Sequence, residues 1–270
     1  MPVPPTMRIA TWNINSIRAR LPLLQKLAES ERPDVICLQE TKVPDDLFPA
    51  DAVREFGFPH IVTAGMKGYN GVAILSRVPF GPSRRQDWCR RGDARHLSVD
   101  LPDGTELHNF YVPAGGDIPD PEANDKFAHK LEFLDEMTAW FPAERRADRP
   151  MILVGDLNIA PLETDVWSHK QLLTVVSHTP VEVEKLGAVQ QTMDWVDAVR
   201  RFIPPAERLY SWWSYRARDW SASDRGRRLD HIWVTPPLEK RLASASVLRA
   251  ARGWERASDH VPVLVELTAG

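Results

Sequence analysis

The stretch Met151 to Pro161, MILVGDLNIAP, constrains this chain more than any other. Met151, Ile152, Leu153 and Val154 form a short unbroken apolar run, which reads as a strand buried on both faces. Gly155 then releases the backbone. Asp156 and Asn158 follow two residues apart, and so share one side if the chain stays extended. Pro161 closes the segment. A carboxylate and a carboxamide at the mouth of a buried strand cost stability unless something needs them. A hard metal ion, or a phosphate attacked by water, would need both. Taken alone, the pair is more often a turn cap, a role Asp and Asn fill readily.

The surrounding pattern supplies the context. Strands are expected at Met7–Asn13, Val35–Gln39, Pro59–Thr63, Val72–Leu75, Arg228–Val234, Ala245–Ala250 and Val261–Leu267. His96–Leu101 and Thr105–Val112 flank Pro102-Asp103-Gly104, a hairpin signal because proline and glycine supply the turn angles. Helices are expected at Arg18–Glu29, at Ala50–Phe56 and, most clearly, at Glu122–Phe141, where Phe127, Leu131, Leu134, Met137 and Trp140 recur every three or four residues. Another is expected at Thr192–Phe202, while Leu162–Gly187 is polar with scattered apolar residues and yields no element. Helices are interspersed rather than following every strand. This points to one domain of two packed mixed or antiparallel sheets with helices outside. Residues 1–6 read as a loose arm and 7–270 as the domain. No dinucleotide-binding or phosphate-loop glycine motif is present.

Composition excludes some classes. With 43% hydrophobic and 26% charged residues, the chain has the makings of an ordinary soluble core. No apolar run approaches the roughly 18 residues of a membrane span, and the first residues lack the basic-then-apolar order of a secretory signal. Cys37 and Cys89 read as reduced thiols of a cytoplasmic protein. The net charge of −3 argues against a uniformly basic nucleic-acid binder, yet arginines cluster at Arg84–Arg95 and Arg216–Arg228.

Polar residues recur where strands end. Asn13 follows the first strand, Glu40 the second, and Tyr111 closes the hairpin. Asp230 and His231 lie in an otherwise apolar strand, and Asp259 and His260 precede the last. If these ends meet at one rim, each type has a task. Glu40 and Asp259 suit Mg2+, with Asn13 as a neutral ligand or an orienting group. Asp156 can take a proton from water, and Asn158 can hold that water or an oxyanion. His260 can donate to a phosphate oxygen, oriented by Asp230, and Tyr111 can donate to the phosphate or leaving oxygen. Asp230 needs a partner because an unpaired buried carboxylate is costly, and Arg228 would serve as well as a histidine.

The segments TWNINSIRAR (11–20), LQETK (38–42), GYNGVAILSR (68–77), NFYVPAGG (109–116), GDLNIAP (155–161), RRLDHIW (227–233) and SDHVPV (258–263) resemble, in order and spacing, the motifs of the exonuclease III family of AP endonucleases. That family lies within the endonuclease/exonuclease/phosphatase superfamily. The resemblance runs from about residue 7 to 267. It implies a DNase I-like four-layer α/β sandwich, two packed mixed β-sheets flanked by helices, with the site at one end. It matches Glu40 to the metal glutamate, and Asn13, Asp156, Asn158 and Asp259 to positions that bind metal or order water. It also matches Tyr111 to the active-site tyrosine and Asp230 with His260 to the pair at the phosphate. The implied activities are incision 5′ of abasic sites in duplex DNA and 3′→5′ removal of nucleotides, leaving 3′-hydroxyl ends, with Mg2+ or Mn2+. A monomer is expected.

Ser211–Trp220 sets Trp212, Trp213, Tyr215 and Trp220 among arginines. An extrahelical abasic sugar needs a tight apolar pocket, and loop aromatics also stack on DNA. Trp212 or Trp213 is expected to line that pocket, and Arg216 and Arg91 to meet phosphates. Two other readings remain: a superfamily phosphodiesterase or phosphatase acting on another phosphoester, and a DNA-damage binder without catalysis.

Overall fold

The computed structural model describes residues 6–269. One sheet contains β1 (Thr6–Asn13), β2 (Val35–Gln39), β3 (His60–Ala64) and β4 (Val72–Ser76). The other contains β5 (Ser83–Arg84), β6 (His96–Asp100), β7 (Glu106–Tyr111), β8 (Met151–Asp156) and β9 (Val196–Asp197). A small ribbon is made by β10 (Trp212–Trp213) and β11 (Gly226–Arg227). Then β12 (Asp230–Val234) joins the second sheet, and β13 (Leu242–Val247) and β14 (Val263–Thr268) join the first. The orders are β13-β14-β1-β2-β4-β3 and β5-β6-β7-β8-β12-β9. Both sheets are mixed: β1–β2 and β7–β8 are parallel, and the remaining pairs are antiparallel.

Side-chain alternation builds the layers. Ile9, Cys37, Ile74, Leu107, Val154 and Ile232 point between the sheets into a common core. Their neighbours point outward. Trp12, Leu38 and Leu75 pack with α1 (Leu21–Ser30) and α2 (Ala50–Glu55). Phe110, Leu153 and Trp233 pack under α3 (Asp125–Glu144). The result is the expected four-layer sandwich. Helix α4 (His169–Leu172) and α5 (Pro180–Gln191) occupy the stretch from which the sequence yielded no element. Thr179 with Glu182 forms a capping box for α5, a signal present in Thr-Pro-Val-Glu. The helix expected at Thr192–Phe202 is not there: α5 ends at Gln191 and β9 falls inside that span. Thr6, placed in the arm by the sequence, pairs with Thr268 in β1, and residues 1–5 of the expected arm lie outside the described residues.

Gly155, within β8 rather than in a turn, is required by the close approach of its neighbouring strand. At φ 145° it lies beside Phe110, where a Cβ would come within 1.9 Å of the Phe110 carbonyl oxygen.

Candidate active site

The inward parity of each strand continues past its apolar residues to a polar one at the same rim. After Ile9 and Thr11 comes Asn13; after Ile152 and Val154 comes Asp156; Asp230 precedes Ile232 and Val234; Tyr111 follows Leu107 and Asn109. Below the rim, Gln39 donates to Thr11 Oγ1 (2.9 Å) and Asn109 Oδ1 (2.7 Å). Asn109 in turn donates to the carbonyls of Leu38 and Ala73 (both 3.0 Å). This buried amide bridge joins the two sheets beneath the site, and sequence reasoning missed it.

Asp230 and Asp156 are directly opposite one another across the antiparallel β12–β8 pair. Like charges so placed repel. His260 answers this: Nδ1 is 2.8 Å from Asp230 Oδ2 and Nε2 is 3.6 Å from Asp156 Oδ2. Burial pulls the imidazole pKa down, but the Asp230 and Asp156 carboxylates outweigh it and push it up to about 10. Burial, with a further push from Asp230, raises the Asp156 carboxyl to about 7 against the opposing pull of His260. Ser211, also missed, donates to Asp230 Oδ2 (2.6 Å) and accepts from the backbone N–H of Asp230 (3.0 Å). Arg228, the alternative partner for Asp230, instead pairs with Asp165 and Asp197.

Glu40 is held at φ 52° just past β2, Asn158 at φ 55° just past β8, and Asn15 at φ 49° just past β1. Left-handed non-glycine residues concentrate where the surrounding structure enforces them. Glu40 accepts from Asn13 Nδ2 (2.9 Å) and the Tyr111 hydroxyl (2.8 Å) on one oxygen and pairs with Lys42 (2.8 Å) through the other. Burial works to raise its pKa, but these hydrogen bonds prevail and hold it below the usual carboxylate range. Asn13 also donates to Asp156 Oδ2 (2.9 Å), and its side-chain Oδ1 accepts from the Asn15 N–H (3.1 Å). It thereby orients the Glu40 and Asp156 carboxylates. Tyr111 stays a phenol: burial, then Glu40 and Asp156, raise its pKa.

A pocket of about 630 Å³ opens above these groups, lined by Glu40, Asn158, Asp259 and His260 on one side and by Trp167, Trp212, Arg216 and Arg227 on the other. Trp212 stands on the substrate side with its indole N–H on Asp259 Oδ2 (3.0 Å). Trp213 does not: strand alternation turns it inward, 1% exposed, with its indole on Asp224. Arg91, expected at DNA, does not line the pocket and lies 3.9 Å from Glu132. From that cluster Arg95 comes nearer, stacked over the Tyr111 ring at 4.8 Å.

The donor set suits a hard cation. Glu40 and Asp259 both open onto the pocket, and Asn15 donates to Asp259 Oδ1 (3.2 Å) and accepts from the Lys42 ammonium (2.6 Å) that pairs with Glu40. The Lys42 ammonium, bridging Glu40 and Asn15, is itself a cation in this oxygen-rich corner. Asp156, Asp230 and His260 also offer ligand atoms within 4.8 Å of one another. A ring held protonated by its neighbours is a poor ligand, so that cluster fits proton handling better.

Residues 10–260 match the endonuclease/exonuclease/phosphatase family. The chain is 31% identical to exodeoxyribonuclease III of Haemophilus influenzae, across 96% of this chain and 99% of that protein. Among solved structures, an AP endonuclease from Archaeoglobus fulgidus superposes with a TM-score of 0.89 at 30% identity, covering 96% of this chain and 98% of its own. A 3′ phosphatase from Neisseria, solved with a product DNA hairpin, gives 0.89 at 30% identity over 97% and 100%.

Proposed function

The chain belongs to the endonuclease/exonuclease/phosphatase family, in the branch of exodeoxyribonuclease III, and from that premise we propose how its site works and on what. The protein is a DNA-repair phosphodiesterase, a hydrolytic nuclease. Its substrates are duplexes with abasic sites, incised on the 5′ side, and 3′ strand ends shortened 3′→5′, each cut leaving a 3′-hydroxyl. It acts as a monomer in the cytoplasm. Both cysteines are free, and among the described residues no helix is long and apolar enough to cross a membrane.

Glu40 and Asp259, with Asn15 beside them, would hold Mg2+ or Mn2+, which neutralises charge on the scissile phosphate when bound. Asp156, its carboxyl poised near neutrality, takes the proton of the attacking water. Asn158 donates one amide N–H to the Val112 carbonyl (2.9 Å), which aims the carboxamide while it lines the pocket and steadies the incoming oxygen. His260, protonated and fixed by Asp230, donates to a phosphate oxygen as negative charge develops, and the Tyr111 hydroxyl does so once it turns its single proton from Glu40. Arg216 and Arg227 meet the DNA backbone. One observation carries this reading: an imidazole held 2.8 Å and 3.6 Å from two buried carboxylates, sharing a pocket with a separate oxygen-only ligand set.

The test is a duplex carrying a single abasic-site analogue, incubated with Mg2+ or with EDTA beside an intact duplex. Metal-dependent cutting at the lesion is expected. Binding without cutting would instead make the chain a damage binder, and neither would point to a different phosphoester.

A further inference from the structure

Lys130 and Glu182 form an ion pair in which both side chains are 0% exposed, and nothing in the chemistry above uses it. Lys130 occupies the apolar stripe of α3, between Phe127 and Phe133. Withdrawing two charges from water is costly, and an apolar pair of similar volume often serves packing as well or better. The pair calls for a purpose other than packing, and its remaining contacts supply one.

An ammonium has three protons to place. Besides Glu182, Lys130 Nζ donates to the Asn158 carbonyl (2.8 Å) and reaches the Ala114 carbonyl (3.3 Å). Those carbonyls belong to the loops that leave β8 and β7 on either side of the site. Gly115, at φ 88°, closes over the lysine stem, and a Cβ there would lie 2.9 Å from Lys130 Cδ. At the other end, Glu182 accepts from the N–H groups of Ser177 (2.9 Å) and Thr179 (3.1 Å) and from the Thr179 hydroxyl (2.7 Å). Arg227 donates to the Val176 carbonyl and the Ser177 hydroxyl (both 2.8 Å), so the chain of contacts reaches the pocket wall.

We propose that Lys130 is a positioning residue: by gripping the Asn158 carbonyl it holds that left-handed backbone so that the carboxamide faces the reacting phosphate, and Glu182 holds Lys130 in place. The proposal rests on the nuclease reading for its rate measurements and on backbone geometry for the remainder.

The test compares Lys130→Met, Glu182→Gln and the double variant with wild type on the abasic duplex, and repeats Lys130→Met in an Asn158→Ala background. Lys130→Met is expected to lower kcat about a hundredfold, as a slight misplacement of a catalytic group does, with KM nearly unchanged. The double variant no longer strands a carboxylate, so it regains thermal stability but not kcat. In the Asn158→Ala background Lys130→Met costs less than about threefold, because the two act as a unit. A double variant with wild-type kcat, or fully multiplicative losses, overturns the proposal and leaves the pair a packing device. Should Lys130→Met not fold, the double variant carries the comparison. Amide hydrogen exchange at Leu157–Ile159 gives a readout independent of activity. Faster exchange there in the double variant at matched stability supports the proposal, and unchanged exchange overturns it. Wild type that cuts no DNA would sink the nuclease reading alone, with the exchange result still deciding this one.

Discussion

The chain carries the dipeptide Asp-His twice near its end, at Asp230-His231 and Asp259-His260, and the fold uses the two in opposite ways. In the first, regular strand alternation sends Asp230 to the site and His231 to the outer face of the sheet. There His231 donates to the Ile159 carbonyl (2.8 Å) and packs beside Trp233. Burial, helped by Arg228, drives its pKa down to about 3, so it is a neutral core residue. In the second, the dipeptide lies in a turn just before β14. Trp12 bonds the His260 carbonyl (3.1 Å), and Ser258 bonds the Asn13 carbonyl (2.7 Å) and receives the His260 N–H (3.2 Å). That turn points both side chains at the pocket, and His260 is pushed up to about 10 by two carboxylates. Adjacent letters do not carry a role. The backbone path beneath them assigns it.

The comparison breaks most visibly in turnover. His260→Ala is expected to lower the single-turnover rate at an abasic site by about a thousandfold, the upper scale of losing a donor to the developing phosphate charge, with DNA affinity retained. Asp156→Asn should act alike, and near wild-type turnover in either variant would refute its assigned role. Asp230→Asn keeps the shape but loses the charge that fixes the imidazolium, and a loss of roughly a hundredfold is expected.

The two aspartates separate by metal dependence. Asp259→Asn should raise the Mg2+ concentration for half-maximal rate by at least about tenfold, whereas Asp230→Asn should leave it near wild type. Equal shifts in a Mg2+ titration would mean that the ion sits among Asp156, Asp230 and His260 instead.

The two histidines separate by stability. His231→Leu strands the Ile159 carbonyl and should cost about 1–3 kcal/mol in urea unfolding while turnover changes far less than for His260→Ala. Their pH limbs have opposite sign. His231 falls from an ordinary 6.5 to about 3 on folding, so the unfolded chain takes the proton first and this stability is lost as pH drops from 6.5 towards 3. His260 rises from 6.5 to about 10, so its contribution is complete below 6.5 and is lost as pH climbs towards 10. His231→Leu should flatten part of the acid limb only, and His260→Ala part of the alkaline limb only. Unfolding midpoints measured across pH would expose an exchange of these roles.

Much of the scaffold was legible. The three-to-four spacing from Phe127 to Trp140 found α3, and Pro102-Asp103-Gly104 found the β6–β7 hairpin. The apolar run from Met151 found β8, which lies inside its sheet between β7 and β12. Local signals failed where tertiary contacts overrode them. Trp212 and Trp213 are indistinguishable by type, and only the pairing of β10 with β11 decided which faces the pocket. Gln39 and Asn109 look like ordinary strand residues, and their bond exists because two sheets face each other. Lys130 left a readable mark, a lysine on an apolar helical stripe, but no indication of its partner 52 residues away.

By itself the sequence determined which residues stand at the strand ends and which chemistry they can perform, because strand parity and side-chain type are local. Tertiary structure decided which of those residues meet. It set Asp230 against Asp156, brought His260 from another segment to settle their charge, and left His231 in the core. Interactions among charges depend on separations and burial that arise only when distant strands are packed, and no local pattern encodes those distances.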